Sequence, residues 1–140
     1  MKLSYALILA SSLAFFACDS ENDNPAKPSD DCSVTDGVKV VSPAGGETFK
    51  IGQEITVVFG SDIDDSGYKI EFKASDKVKG VDLTAGSIGD DYVADGKTCY
   101  EQKVVLDAEK VTAGKNVFIR VVPYNKTSKY GDSKPFTIKE

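Results

Sequence analysis

From residue 38 to the last residue, short apolar runs alternate with Gly, Pro, Asp and Ser punctuation at the spacing of an all-β sandwich. The clearest run is 68–73, where Tyr68, Ile70 and Phe72 point one way and Lys69, Glu71 and Lys73 the other, the signature of a strand with one wet face. Residues 38–42 form a first strand that stops at Pro43 and the Gly45-Gly46 pair. Residues 54–60 form another, with Ile55, Val57 and Phe59 on one face. Weaker candidates lie at 78–84 and 91–94, and runs at 101–106, 116–124 and 135–139 complete a set of about seven strands. Residues 107–112 are better helix formers, but so short a stretch between two strands predicts a turn at the end of the sandwich.

The first eighteen residues break this pattern. Lys2 is the only charge ahead of Asp19, and the apolar stretch between them is shorter than the roughly 18 residues a membrane-crossing helix needs, so it reads as the core of a secretory signal. Its end, Phe15-Phe16-Ala17-Cys18, resembles the lipobox of bacterial lipoproteins, with Phe15 where Leu is usual. That resemblance implies a signal peptide over 1–17, a diacylglyceryl group on Cys18 and attachment to a membrane through lipid. An ordinary signal peptide and an uncleaved anchor are the other readings. Residues 18–36 would be a lipidated Cys and an acidic tether, since Asp19 to Asp31 hold almost no apolar residue and include Pro25 and Pro28. Asp19 resembles an inner-membrane retention signal of some bacteria, whereas acidic residues shortly after the Cys resemble surface-export signals of others. We expect an envelope location, at the outer membrane or cell surface.

Composition excludes much chemistry. The 140 residues include no His and no Trp, so neither a Ser-His-Asp nor a Cys-His pair nor an imidazole metal site can exist. With 17 Lys+Arg against 22 Asp+Glu, the formal charge of -5 speaks against nucleic acid as a partner. The charge is uneven: residues 19–96 hold 7 Lys and 17 acids, whereas 97–140 hold 9 bases and 5 acids, a split that pairing between the halves of one fold would explain. With Cys18 assigned to lipid, Cys32 and Cys99 remain, and in an oxidising compartment a disulfide between them is the expectation, with a two-thiol zinc site as the rival.

The segment Ser42-Pro43-Ala44-Gly45-Gly46-Glu47-Thr48-Phe49-Lys50-Ile51-Gly52, with the run at 54–59 after it, resembles the opening of an immunoglobulin-like domain. That domain belongs to Ser-Thr-rich, GPI-anchored fungal cell-wall proteins of the Kre9/Knh1 type and occurs in many bacterial surface proteins. Residues 116–122 and 133–138 are similar to its last two strands, so the resemblance covers about 38–140. It implies an immunoglobulin/fibronectin-III-like antiparallel β-sandwich over 37–140, in a cell-surface or cell-wall module that carries no catalytic residues. Glycines 45, 46 and 52 would permit the turns, and Phe49 and Phe59 would fill the core. The chain departs from the family in lacking Trp around Phe49 and Phe59 and in placing Cys99 in an acidic neighbourhood.

Three constellations are candidates for chemistry. Asp62-Ile63-Asp64-Asp65-Ser66-Gly67 begins like a calcium loop, with Asp62, Asp64 and Asp65 as ligands and Asp90, Asp91 or Asp95 as recruits; a solvated acidic turn is the competing reading, because Lys73 stands where an EF-hand needs Glu. Tyr92, Tyr100, Tyr124 and Tyr130 could stack on sugar rings, which would make the protein a carbohydrate-binding accessory lipoprotein with a polysaccharide partner. Asp and Glu pairs could perform glycoside hydrolysis, but so small a domain leaves little room for a cleft. Asn125-Lys126-Thr127 fits the glycosylation sequon, which carries no weight in a bacterial lipoprotein. The expected role is a non-catalytic surface interaction or structural module whose partner, protein or polysaccharide, is not legible in the sequence.

Overall fold

The computed structural model describes residues 31–84 and 92–140. The signal segment, Cys18, most of the tether and Asp90 and Asp91 lie outside the described residues. Two sheets face each other in an immunoglobulin-like β-sandwich, and no α-helix occurs among the described residues. The strands are β1 (Val38–Ser42), β2 (Thr48–Lys50), β3 (Glu54–Ser61), β4 (Tyr68–Lys73), β5 (Val81–Asp82), β6 (Tyr100–Val105), β7 (Gly114–Pro123), β8 (Gly131–Asp132) and β9 (Phe136–Lys139). One sheet runs β1-β3-β6; the other runs β2-β9-β7-β4-β5, with β8 also on β7.

Alternation placed the main strands well. The predicted runs at 38–42 and 68–73 coincide with β1 and β4, and those at 54–60, 101–106, 116–124 and 135–139 match β3, β6, β7 and β9 to within two residues at either end. Of 78–84 only β5 is a strand, and none of 92–94 is. Residues 107–112 form the expected turn, in which the amides of Lys110 and Val111 donate to the Asp107 carbonyl at 2.8 and 2.9 Å. Two strands carried no periodic signal, β2 and β8, because they are three and two residues long. The sheet is not wholly antiparallel, since β2 pairs with β9 in parallel.

The core lies between the sheets. Ile55, Val57 and Phe59 of β3 meet Tyr68, Ile70 and Phe72 of β4, Val117, Ile119 and Val121 of β7, and Phe136 and Ile138 of β9. The wet face expected of β4 is only partly wet. Lys73 is 5% exposed, its stem covered and its Nζ donating to the Val78 carbonyl in the turn that follows. Gly45, Gly46 and Gly52 have positive φ, as their turns require, and the Glu47 carboxylate closes the first of these by accepting the amides of Ala44 and Gly45, each at 2.7 Å.

A disulfide joins Cys32 to Cys99, with Cα atoms 5.3 Å apart. Cys32 is buried, and residues 32–36, which were expected to belong to the tether, are held on the fold: the Val34 amide donates to the Gly96 carbonyl at 3.0 Å. Gly60 is the position that lets this segment lie so close, because a Cβ there would press on the Cys32 carbonyl and stand 2.7 Å from the Cys32 Cβ. The charge asymmetry is met by pairing across the halves: Lys103 with Glu54, Arg120 with Asp76 and Lys129 with Asp36, at 3.7, 3.6 and 2.6 Å.

Candidate functional site

The tyrosines proposed as a sugar platform do not share a face. Tyr92 and Tyr100 turn inward to Phe59 and Tyr68. Ring centroids are 4.7 Å apart for Tyr68 and Tyr92, 5.5 Å for Phe59 and Tyr100, and 5.8 Å for Tyr92 and Tyr100. The Tyr68 hydroxyl donates to the Ile63 carbonyl at 2.5 Å and lies 2.6 Å from the Tyr92 hydroxyl and 2.9 Å from Ser61 Oγ. Burial pushes the Tyr68 and Tyr92 phenols up from their ordinary range, so both stay neutral donors within this network. Tyr124 lies against the Gly67 backbone, and its amide donates to the Gly67 carbonyl at 3.0 Å. Tyr130 is exposed on the opposite side of the larger sheet, and its ring face already carries the Arg120 guanidinium at 3.8 Å.

The carboxylates of the acidic loop accept backbone amides. Asp62 accepts the amides of Asp36 and Gly37 at 2.5 and 2.9 Å and so ties down the segment before β1. Those hydrogen bonds, that from Asp36 first, hold its carboxyl below the usual range. Asp65 reaches the other way, accepting the Ser66 amide at 2.6 Å and both the amide and Nδ2 of Asn125 at 2.9 Å. Partial burial alone would raise its pKa, but these hydrogen bonds outweigh that and lower it. No three carboxylates or thiols converge as a cation set among the described residues, and Asp90 and Asp91, two of the expected recruits, lie outside them. The two thiols of the rival zinc reading are consumed by the disulfide.

Asp95 caps its own turn, accepting the amides of Lys97 and Thr98 at 2.8 and 2.7 Å and the Thr98 hydroxyl at 2.6 Å. Its carboxyl is pulled down to about 2 from an ordinary 3.8, chiefly by the Thr98 hydroxyl. A folded-state pKa below the unfolded one stabilises the fold fully above the unfolded value, and that contribution is lost as pH falls through the folded one. Urea midpoints should therefore fall between about pH 4 and pH 2, and Asp95→Asn should make the fall shallower. Identical acid slopes for the two proteins would disprove the role of this cap.

The larger sheet carries a concavity on its outer face. Strand β7 is partnered along one side first by β9 and then by β8, and the chain leaves the ladder between them at residues 133–135. Ser133 fills the break: its amide donates to the Ile119 carbonyl at 2.8 Å, and its Oγ accepts the Ile119 amide at 3.0 Å. On β7 the pairing with β9 slips between Gly114 and Val117, and Asn116 takes a left-handed φ of 61° in that bulge, a conformation Asn tolerates and bulges use to re-aim side chains. Break and bulge together leave an open hollow of about 340 Å³, lined by Asp76, Asn116, Phe118, Asp132, Ser133 and Pro135. That is near the lower end of the size of ligand pockets.

Arg120 organises the rim. Its Nε and Nη2 donate to the two Asp132 oxygens at 2.7 and 2.9 Å, and Nη2 is 3.6 Å from Asp76. The Asp132 hydrogen bonds raise the guanidinium above its already high pKa, fixing its charge. The Phe118 ring is 5.7 Å from the same guanidinium. Sequence reading missed this hollow. Its sole local trace is Asn116 at the head of an apolar strand run and Pro135 at the head of another; the rest depends on which residues β8 and β9 place beside β7. In comparison with known proteins, no family model matches this chain and no curated protein matches it.

Proposed function

We propose that the protein is a lipid-anchored cell-envelope protein, held to a bacterial membrane through Cys18, whose sandwich serves as a non-catalytic surface interaction or structural module. The observation that carries this reading is the Cys32–Cys99 disulfide, because such a bond between a buried N-terminal Cys and a strand entry persists in oxidising compartments and is rare in the cytosol. The apolar stretch ending in Phe15-Phe16-Ala17-Cys18 supplies a route there, and the polar residues 19–30 supply a spacer between lipid and fold. Two or three acyl chains hold a protein far more firmly than one, at about 0.8 kcal/mol per buried methylene. The non-catalytic part of the reading is supported by a chain with no His and by acidic loops whose carboxylates anchor backbone amides.

Phase partition in Triton X-114 tests the anchor. The protein from its native cell should enter the detergent phase, and Cys18→Ser should move it to the aqueous phase or leave it as an unprocessed precursor. A Cys18→Ser protein of mature size that remains in detergent would refute lipid attachment at this residue.

A further inference from the structure

We propose that the hollow beside β7 binds an uncharged sugar unit of a polysaccharide, a site built from Asn116, Phe118, Asp132 and Asp76. This inference rests on the reading of the sandwich as a surface interaction module and gives that module a ligand class.

The first argument is the balance of charge. Asp76 and Asp132 bring two negative charges to the rim. Arg120 contacts both of them, while the Lys73 ammonium is held away at the Val78 carbonyl. One cation shared between two carboxylates leaves the rim with a net negative charge, which repels an anion such as a phosphate or a uronate. The second is the kind of surface on offer. Phe118 and Pro135 give an apolar patch against which the C–H face of a sugar ring can lie. Around it stand carboxylate oxygens and an amide, the acceptors and donors that hydroxyl groups require. Asp76 is 82% exposed at its side chain, so its oxygens retain lone pairs toward solvent, while Asp132 is oriented by its two bonds to Arg120. A few fixed polar groups around an apolar floor is the usual construction of a small-molecule site.

The third argument is backbone conformation. Asn116 holds a φ of 61° near the start of β7, and the bulge there sets Asn116 on the hollow. Left-handed non-glycine residues concentrate at binding and catalytic sites, where the surrounding fold holds them in place. The Ser133 side chain keeps the Ile119 amide satisfied across the adjoining break, so the hollow is held open without an orphaned donor.

Affinity gel electrophoresis of the full chain, run in gels containing neutral soluble polysaccharides (laminarin, galactomannan, xyloglucan, mannan) or the anionic polygalacturonate, tests the proposal. Retardation is expected in at least one neutral gel and not in polygalacturonate. Asn116→Gly keeps the left-handed backbone and removes only the amide, and Asp76→Ala alters an exposed side chain, so both should fold as the parent does. Each should weaken binding about three- to tenfold, the share of one hydrogen bond. The site is overturned by free migration in every neutral gel, by retardation confined to polygalacturonate, or by retardation that both substitutions leave unchanged. Reducing ends are counted in the same incubations. Their release would overturn the non-catalytic reading of the module, whereas free migration without release would remove only this site.

Discussion

Replacing Cys32 and Cys99 together with Ala is expected to lower the unfolding free energy by about 4 kcal/mol, because the bridge closes a loop with a sequence separation of 67. For a domain of this size that is a fall in Tm of roughly 15 °C. The loss should exceed that of an average surface crosslink for a structural reason. Cys32 is buried with its backbone against Gly60, and the segment it anchors is tied further by Val34 to Gly96 and by Gly96 to Ser61, at 3.0 and 2.9 Å. Freed from Cys99, that segment is held by these bonds, by the Asp62 carboxylate on the Asp36 and Gly37 amides and by the exposed Lys129–Asp36 pair. Urea unfolding of the double variant and of the reduced parent should give matching curves. A double variant within 1 kcal/mol of the oxidised parent, a small fraction of the loss expected from loop closure, would mean that the bridge follows the fold and does not support it.

Phe59→Ala carries the second large effect, about 3–5 kcal/mol. Phe59 is 0% exposed, and its ring lies 5.6, 6.0 and 5.5 Å from those of Tyr68, Tyr92 and Tyr100. Removing it leaves three rings with hydroxyls fixed elsewhere around a void they cannot easily fill, so little of the cavity should collapse. Tyr92→Phe is the matched control, since it keeps every ring and deletes only the hydroxyl at 2.6 Å from that of Tyr68; it should cost about 1 kcal/mol. Equal losses from the two substitutions, read from urea midpoints, would place the stabilisation in the hydroxyl network and not in ring packing.

These two effects also mark where the sequence could be read and where it could not. Strands with strict alternation, Tyr68–Lys73 above all, were legible because burial on one face writes a period of two into the residues themselves. Thr48–Lys50 and Gly131–Asp132 were not, since a pairing of two or three residues is decided by a distant partner. Tyr92 and Tyr100 have polar or acidic neighbours and so read as loop residues open to ligand, yet the Ser61, Ile63 and Tyr68 contacts draw Tyr92 toward the core beside Tyr100. Asp62 and Asp65 read as convergent ligands because they are close in sequence, but each points at a different loop, toward Gly37 and Asn125. Lys73 read as wet because its period-two position is outward, and the turn after β4 covers it. The hollow has the same origin as these misses: a bulge at Asn116 and a break after Asp132 meet only once β7, β8 and β9 are in register.

Intact-mass spectrometry of the protein taken from native membranes tests the central claim, that this is an exported, lipid-anchored, disulfide-closed sandwich. The expected chain begins at an acylated Cys18, with Cys32 and Cys99 refractory to alkylation until reduced. A chain beginning at Met1 with three thiols open to alkylation would contradict it.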